Sequence, residues 1–272
     1  LEQAPGRILV MLDVTETRRL QERLNRQERL GAMGEMSAQL AHQMRTPLSS
    51  ALLYVSHLAD ERLRPDQRQA FTAKLRGRLQ HMEHQIRDIL MFAQGTTAGE
   101  ELISLGQLVH QFADSHAQDL QHMGVSLQLR DEGTQEVKIL GRADALLGVL
   151  GNLTDNAIQQ GASQIDITLS PGQQVKLRYA DNGTGVPLEY REKIFDPFFT
   201  TRTGGTGLGL AVVQNLILGH RGVIRLVPTG TGGGAVFEIL FPAVTGENHP
   251  AGVKYLSHHS SQPIQYQARS LS

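Results

Sequence analysis

The sequence predicts a chain of two parts: an α-helical hairpin followed by an α+β sandwich, in which helices cover one face of a mixed sheet. Two observations carry this prediction. Over residues 34–97, apolar residues step by three and four along two long segments, separated by a short Arg-Pro-Asp break. From residue 101 onward, segments with that helical period alternate with short segments in which apolar and polar residues alternate, as in half-buried strands.

The composition fits a globular chain of about two domains and excludes several functions. The 272 residues are 40% hydrophobic and 19% charged, with a net charge of −1, which implies neither a nucleic acid nor an anionic membrane as partner. No cysteine is present, so disulfides, thiolate chemistry and cysteine-ligated metals are excluded. Because no apolar run is long enough to span a bilayer, we expect a cytoplasmic chain. The missing initiator Met suggests a longer parent protein and leaves open a membrane anchor there.

The N-terminal segment predicts the end of one domain and then a helical linker. Residues 6–15 are typical of a single strand, and one strand is not stable alone, so residues 1–15 are expected to end a truncated upstream domain. Thr15 or Thr17 can cap the helix that follows. Leucines at helical spacing then predict a coiled-coil-like linker over residues 16–33.

The hairpin is expected to form a dimer. Its first helix should run to about Leu63, and Pro65 suits the first turn of the second helix. A single hairpin buries little apolar surface, whereas two hairpins paired as an antiparallel four-helix bundle cover both apolar stripes. His81 and His84 are three residues apart on the second helix and could bind a metal, but a solvated helix face is the favoured interpretation.

One histidine in the first helix has unusual surroundings. His42 lies off the apolar stripe and should face outward. Pro47 cannot donate to the carbonyl of Gln43, which predicts a bend one turn beyond the histidine. Thr46 shares the face of His42. Considered alone, these residues favour an ordinary surface histidine, and only the motifs farther along the chain change that interpretation.

Two motifs in the second part suit a nucleotide and its metal. The segment NLTDNA places Asn152 and Asn156 one helical turn apart, and paired amide oxygens suit a Mg²⁺ ion that also binds phosphates. The alternative is a pair of caps or core hydrogen bonds. The segment DNGTGVP follows a strand, where Asp181 can accept from an exocyclic amine and Gly183 and Gly185 allow close backbone approach. The alternative there is an ordinary turn.

The richest segment reads FDPFFTTRTGGTGLGL. Aromatic residues precede a glycine-laced loop, and backbone N–H groups at the start of the next helix can hold phosphates. The loop between Pro197 and Gly205 can act as a lid. Its only cation, Arg202, suits a phosphate oxygen. A dinucleotide-binding fold would need this motif after a first strand, with an acid about twenty residues on, and that context is absent.

The remaining elements follow the same periodicities. Residues 95–99 are expected to be a linker, 98–244 an α/β domain and 245–272 a disordered tail, since the tail is rich in Ser, Gln, His and Pro. Helices are expected over residues 105–123, 142–160 and 208–218, and strands over 125–130, 137–140, 165–169, 175–179, 223–227 and 236–241.

Together and in this order, the motifs resemble those of the sensor histidine kinases of bacterial two-component systems. AHQMRTPL resembles their H box, NLTDNA the N box, DNGTGVP and GGTGLGL two glycine boxes, and FDPFF the F box. The resemblance covers roughly residues 15–243. It implies a dimeric antiparallel four-helix bundle that carries a phospho-accepting histidine, followed by an ATP-binding α/β sandwich of the Hsp90, gyrase and histidine kinase type.

The resemblance also implies roles for single residues. His42 would accept a phosphoryl group from Mg-ATP, beside Gln43, Arg45 and Thr46. Asn152 and Asn156 would serve Mg²⁺, and Asp181 would read adenine. The other residues implied to bind the nucleotide are Gly183, Gly185, Arg202, Gly205, Thr206, Gly207, Leu208 and Gly209.

The segment around the histidine is nearest to kinases of the nitrogen-regulatory type, particularly the flagellar-regulatory members. These pass the phosphoryl group to an Asp of a response regulator receiver domain, here expected to belong to a sigma-54-dependent activator. The opening strand is similar to the end of a PAS domain.

The chain departs from the family pattern at Gln43, where Glu or Asp is usual, at Gln159 and Gln160, where many members have a basic residue, and at Ala235, where Thr is usual. An amide can orient a ring or a water without supplying charge, so we expect a slow kinase with regulator phosphatase activity. A nucleotide-gated scaffold without strong kinase activity is the alternative, and a Hsp90-like ATPase a third hypothesis.

Overall fold

A computed structural model describes residues 15–94, 101–202, 205–228 and 233–244. The expected upstream strand, the linker at residues 95–99 and the C-terminal tail lie outside the described residues. The helices are α1 (Thr15–Glu35), α2 (Ser37–Leu58), α3 (Pro65–Gln94), α4 (Leu105–His122), α5 (Ala143–Gln159) and α6 (Gly209–Gly219). The strands are β1 (Glu101–Ser104), β2 (Ser126–Asp131), β3 (Lys138–Gly141), β4 (Gln164–Ser170), β5 (Gln174–Asp181), β6 (Val223–Val227) and β7 (Val236–Pro242). Among them, no helix is long and apolar enough to cross a membrane.

The helix predicted over residues 16–33 is present as α1, and only Met36 separates it from α2. Its leucine stripe is left uncovered within one chain, because Leu20, Leu24 and Leu30 are 52%, 54% and 47% exposed. A stripe at this spacing can be covered by the same helix of a second copy.

The predicted hairpin is confirmed, with one difference in length. The first helix was expected to reach Leu63 but ends at Leu58, because Asp60 accepts a hydrogen bond from the N–H of Arg62 (2.9 Å) and closes a turn. The second helix begins at Pro65, as predicted. The two helices pack against each other, with the ring of His57 stacked on that of Phe71 at 4.9 Å.

The second part is an α+β sandwich, as predicted. Its five-stranded sheet has the order β2-β4-β5-β7-β6, in which β2 and β4 are parallel and the other pairs antiparallel. Alternate side chains of the central strands are buried against helices, among them Ile167, Leu177 and Ile239. The sequence did not predict β1, which pairs with β3 in a separate two-stranded sheet. It is only four residues long and continues directly into α4, so its alternation merges with the helical pattern.

The hairpin and the sandwich share one hydrophobic core. Leu40 of α2 and Phe92 of α3 are 9% and 2% exposed, and they belong to the same cluster of buried side chains as the sheet and its helices. Phe92 also meets the ring of Phe198 edge to face, at 6.0 Å between centroids. The sandwich is therefore packed against its own hairpin.

Candidate functional site

A cleft lies where α3 faces α5, the end of β5 and the loop before α6. Of the eleven residues that the sequence suggests for nucleotide binding, nine line it: Asn152, Asn156, Asp181, Gly185, Arg202, Gly205, Thr206, Gly207 and Gly209. Gly183 and Leu208 do not line this cleft. The side chain of Leu208 is fully buried in the core, so only its backbone is available at the start of α6.

The two asparagines of α5 converge on the start of α6. A Cβ atom added at Gly209 would lie 3.8 Å from Asn156 Nδ2, 3.9 Å from Asn152 Oδ1 and 4.0 Å from Oδ2 of Asp88. Three polar groups and a helix N-terminus therefore surround one small volume. Helix N-termini attract anions, whereas carboxylate and amide oxygens attract cations such as Mg²⁺. The arrangement suits a phosphate group together with its metal ion.

Asp181 holds the loop that follows β5. Its Oδ1 accepts hydrogen bonds from the N–H groups of Gly183 (2.9 Å) and Ala235 (3.3 Å), which leaves Oδ2 for a ligand. Gly185 has φ +74°, and a Cβ there would lie 2.6 Å from the carbonyl oxygen of Gly234. Only glycine fits at that position, and the backbone there closely approaches the start of β7.

The loop before α6 folds back on the aromatic segment. The N–H of Phe198 donates to the carbonyl of Gly207 (3.0 Å), and a Cβ at Gly207 would lie 2.4 Å from the carbonyl carbon of Phe198. Phe198 itself has φ +65°, a strained conformation for an aromatic residue, and such strain is found most often at functional sites. The Thr206 hydroxyl accepts the N–H of Leu208 (3.3 Å).

Arg202 brings a positive charge into the cleft. Its side chain is half-buried, and this burial lowers the pKa of the guanidinium, which nevertheless stays charged near neutral pH. Its N–H donates to the hydroxyl of Thr200 (3.1 Å). A guanidinium that has lost part of its hydration is well suited to bind a phosphate oxygen.

The second wall of the cleft was not predicted. It consists of His81, His84, Gln85 and Asp88, all on one face of α3. His81 and His84 were expected on a solvated face, and His84 is exposed as expected, whereas His81 is half-buried and both line the cleft. Burial lowers the pKa of His81, and the positive charges of Arg78 and Arg202 lower it further. The spacing of these four polar residues follows the helical period, which shows that they share a face of α3 but not which element packs against that face.

Asp88 is the most perturbed group of this wall. Its burial raises the pKa of the carboxyl to about 6, and a hydrogen bond from the side chain of Asn152 opposes that shift. Nearby, Asp155 of α5 lies 3.5 Å from Nδ1 of His84, and both side chains are about half exposed. Burial also raises the pKa of Asp155, against the lowering effect of His84.

The residues predicted around the histidine lie outside the cleft but next to its loop. His42, Arg45 and Thr46 are exposed, and the Thr46 hydroxyl donates to the His42 carbonyl (3.3 Å). Gln43 is half-buried, and its side-chain Nε2 donates to the carbonyl of Gly205 (2.9 Å). Its Oε1 is buried and has no hydrogen-bond partner in the described part of the chain.

These residues fit Mg-ATP. The Nδ2 atom of Asn156 is buried and has no partner among the described residues, which leaves this amide free for a ligand. Because amide nitrogen and oxygen exchange places by a simple flip, the same group can offer its oxygen to a metal ion. Asp181 Oδ2, the tight glycine backbone and Arg202 complete a set suited to an adenine amine and to phosphates.

Models of two protein families match the chain. Residues 32–98 match the His Kinase A phospho-acceptor domain, and residues 141–245 match the ATPase domain of histidine kinases, DNA gyrase B and HSP90. The two matched ranges contain His42 and the two asparagines of α5, respectively.

One curated relative and two solved structures are similar to the chain. The sensor protein kinase FleS of Pseudomonas aeruginosa is 39% identical over 250 residues, which cover 90% of this chain and 60% of FleS. The histidine kinase ThkA, solved in complex with the response regulator protein TrrA, matches 85% of this chain and 68% of its own, with a TM-score of 0.69 and 24% identity. Full-length ShkA, solved with AMPPNP, matches 78% of this chain and 46% of its own, with a TM-score of 0.55 and 27% identity. The chain spans three fifths of FleS.

Proposed function

The chain belongs to the sensor histidine kinases, and on that premise we propose that it uses Mg-ATP to phosphorylate His42 and passes the phosphoryl group to an aspartate of a response regulator. One observation carries the proposal. The Gln43 side chain donates to the carbonyl of Gly205, so the helix that bears His42 touches the loop that would cover the phosphates. The phospho-accepting histidine and the bound nucleotide would therefore be neighbours.

The chemistry asks the protein mainly for positioning and charge stabilisation. A ring nitrogen of His42 forms a bond to the γ-phosphorus, the bond from that phosphorus to the β,γ-bridging oxygen breaks, and ADP leaves. The proton on the other ring nitrogen is then lost to solvent. A Mg²⁺ ion held by Asn152 and Asn156 would neutralise phosphate charge. Arg202 would bind a phosphate oxygen, and Asp181 would accept the adenine amine.

Residues 34–97 would form the dimerisation and phosphotransfer hairpin, and residues 98–244 the ATP-binding domain. Several large apolar side chains of the hairpin are about half exposed, which supports a homodimer in which a second hairpin covers them. These are Leu48, Leu52, Leu53, Val55, Leu79, Ile86 and Leu90. Residues 1–15 would end a PAS-like domain.

The partner would be the receiver domain of a response regulator, in particular one attached to a sigma-54-dependent activator. This finer assignment rests on the resemblance of the His42 segment to the nitrogen-regulatory and flagellar-regulatory kinases. Gln43 and Thr46 could also orient a water for removing phosphate from the regulator, because an amide and a hydroxyl do so without charge. We place this activity in the cytoplasm as part of the same proposal.

A second candidate is a nucleotide-gated scaffold that controls its partner without strong kinase activity. The residue that favours it is Gln43, because an amide cannot take a proton from the attacking ring. General-base help is typically worth about 10²–10⁴-fold in rate.

The test is transfer of ³²P from labelled Mg-ATP to the protein. We expect acid-labile, alkali-stable label on the wild type, none on His42→Ala, and unchanged binding of a fluorescent ATP analogue by both. His57→Ala is the matched control on the same helix and should keep its label, since that ring stacks on Phe71 of the hairpin and does not line the cleft. Label that persists in His42→Ala would move the acceptor elsewhere. ATP binding without label on the wild type would favour the scaffold.

A further inference from the structure

The sandwich contacts the hairpin of its own chain at several points around the cleft. At one end, Gln43 of α2 donates to the carbonyl of Gly205. At the other end, Asn152 donates to Asp88 of α3, and His84 lies 3.5 Å from Asp155. The helix of the acceptor histidine is therefore joined to the lid loop of its own chain.

This contact is a packed interface as well as a set of polar pairs. Leu40 and Phe92 are buried in the core that includes the sandwich helices. The methyl group of Met91 would lie 3.4 Å from a Cβ added at Gly148, which is ordinary van der Waals contact, so this side chain of α3 packs closely on α5. Interior-like packing of this kind defines one relative position of the two parts.

We propose that each subunit phosphorylates its own His42, and that Gln43 is the positioning residue that holds the lid loop beside that histidine. The inference rests on the proposed function and specifies the route of the same reaction. The attacking nitrogen then belongs to the same chain that holds the nucleotide. That nitrogen of His42 bonds to the γ-phosphorus of this nucleotide, and the bridging oxygen leaves with ADP.

The identity of residue 43 matters for this arrangement. A carbonyl oxygen only accepts hydrogen bonds, so the group that faces Gly205 must donate. The amide of Gln43 donates, whereas the carboxylate that is usual here in the family would place negative charge against the carbonyl. Gln43 therefore supplies no negative charge beside His42, but it forms a hydrogen bond that tethers the loop.

A mixed dimer tests the route directly. Wild-type chain and Asn156→Ala chain carry different affinity tags and different masses, are produced together and are purified through both tags. The dimer is given ³²P-labelled Mg-ATP and the two chains are separated on a denaturing gel. We expect label on the wild-type chain alone, because the Asn156→Ala subunit keeps His42 but lacks a working nucleotide site. The Asn156→Ala homodimer should stay unlabelled.

Each other outcome is decisive. Label on the Asn156→Ala chain, alone or with the wild-type chain, would show transfer between subunits and overturn the inference while keeping the proposed function. No label on either chain, with the wild-type homodimer also unlabelled, would overturn the proposed function itself.

One substitution tests the role of Gln43. Gln43→Met keeps the size of the side chain but removes the hydrogen-bond donor. We expect its maximal phosphorylation rate to fall about threefold to tenfold, the equivalent of one lost hydrogen bond. The ATP concentration that gives half the maximal rate should change by less than about twofold. A merely structural role would change both parameters and the melting temperature. A maximal rate in Gln43→Met equal to or above that of the wild type would refute the tether.

Discussion

The two walls of the cleft are built on different principles. On the sandwich wall, which α5, the end of β5 and the loop before α6 form, the backbone fixes the positions. Asp181 accepts hydrogen bonds from two backbone N–H groups, and Gly185 and Gly207 lie too close to neighbouring backbone for any side chain. On the hairpin wall, the second wall described above, the polar groups are side chains of α3. Two of them, His81 and Asp88, have pKa values shifted by burial. The first wall suits recognition of a fixed shape, whereas the second responds to charge.

The strongest test of this contrast is Asp88→Asn. When folding raises the pKa of a carboxyl group, the folded protein becomes more stable as the pH falls through the folded pKa, here about 6. Below the ordinary pKa of 3.8 the carboxyl is protonated in both the folded and the unfolded state, so the stability rises no further. The interval between the two values corresponds to at most about 3 kcal/mol. Asp88→Asn removes this penalty and keeps a partner for Asn152. We therefore expect its free energy of unfolding to exceed that of the wild type by up to about 3 kcal/mol at pH 8, with the difference vanishing near pH 4.

The measurement is denaturant unfolding of the nucleotide-free protein with a metal chelator, at several values between pH 4 and pH 8. Glu83→Gln is the matched control, because it neutralises an exposed carboxylate five residues earlier on the same helix. Within the described residues Glu83 forms an ion pair with Arg87 at helical spacing, so its loss should cost no more than about 0.5 kcal/mol. A pH-independent difference for Asp88→Asn would mean that the carboxylate is not strained on this wall.

The sandwich wall could be predicted from the sequence because its motifs are local. In NLTDNA and DNGTGVP the functional side chains lie within a few residues of one another, and helical or turn geometry brings them together. The hairpin wall could not, because it depends on how a distant helix docks. Residues 81 and 152 are brought together by the burial of Leu40 and Phe92, and no periodicity encodes that contact.

The same division holds for the fold. Long periodic helices and alternating strands were predicted to within a few residues, since burial of one face dictates them. The end of α2 was placed too late, because a single side chain, that of Asp60, closes the turn. The role of Gln43 was also missed. A side-chain amide has many possible partners, and only the loop that packs beside α2 shows that it donates to the carbonyl of Gly205.

Asp181→Asn sharpens the comparison from the side of the sandwich wall. The amide oxygen can still accept from Gly183 and Ala235, so the loop should keep its shape, but an NH₂ group replaces the oxygen that faces the ligand. Loss of a hydrogen bond to a charged group costs about 1–3 kcal/mol, so we expect ATP affinity to fall about fivefold to 150-fold. GTP, whose O6 is an acceptor, should lose less affinity or gain some.

Isothermal titration of both nucleotides with Mg²⁺ against wild type and variant measures this change in preference. Asp196→Asn serves as the control, because that exposed carboxylate lies in the neighbouring aromatic segment and does not line the cleft. Equal losses for ATP and GTP in Asp181→Asn would mean that this wall holds only the loop and does not read the base.

The smallest effect is expected at His84, on the same wall as Asp88. Its pair with Asp155 spans 3.5 Å, but the two side chains are 52% and 43% exposed, so water screens the attraction. Such pairs contribute about 0.2–1 kcal/mol, and about 1 M salt shortens the screening length to about 3 Å. A double-mutant cycle of His84→Gln and Asp155→Asn, followed by denaturant unfolding, should give a coupling free energy of at most about 1 kcal/mol at low salt and near zero in 1 M salt. A coupling free energy well above 1 kcal/mol that survives high salt would mean that the His84–Asp155 pair is a main contributor to the stability of the hairpin wall. Burial of Asp88 would then no longer be what distinguishes the two walls.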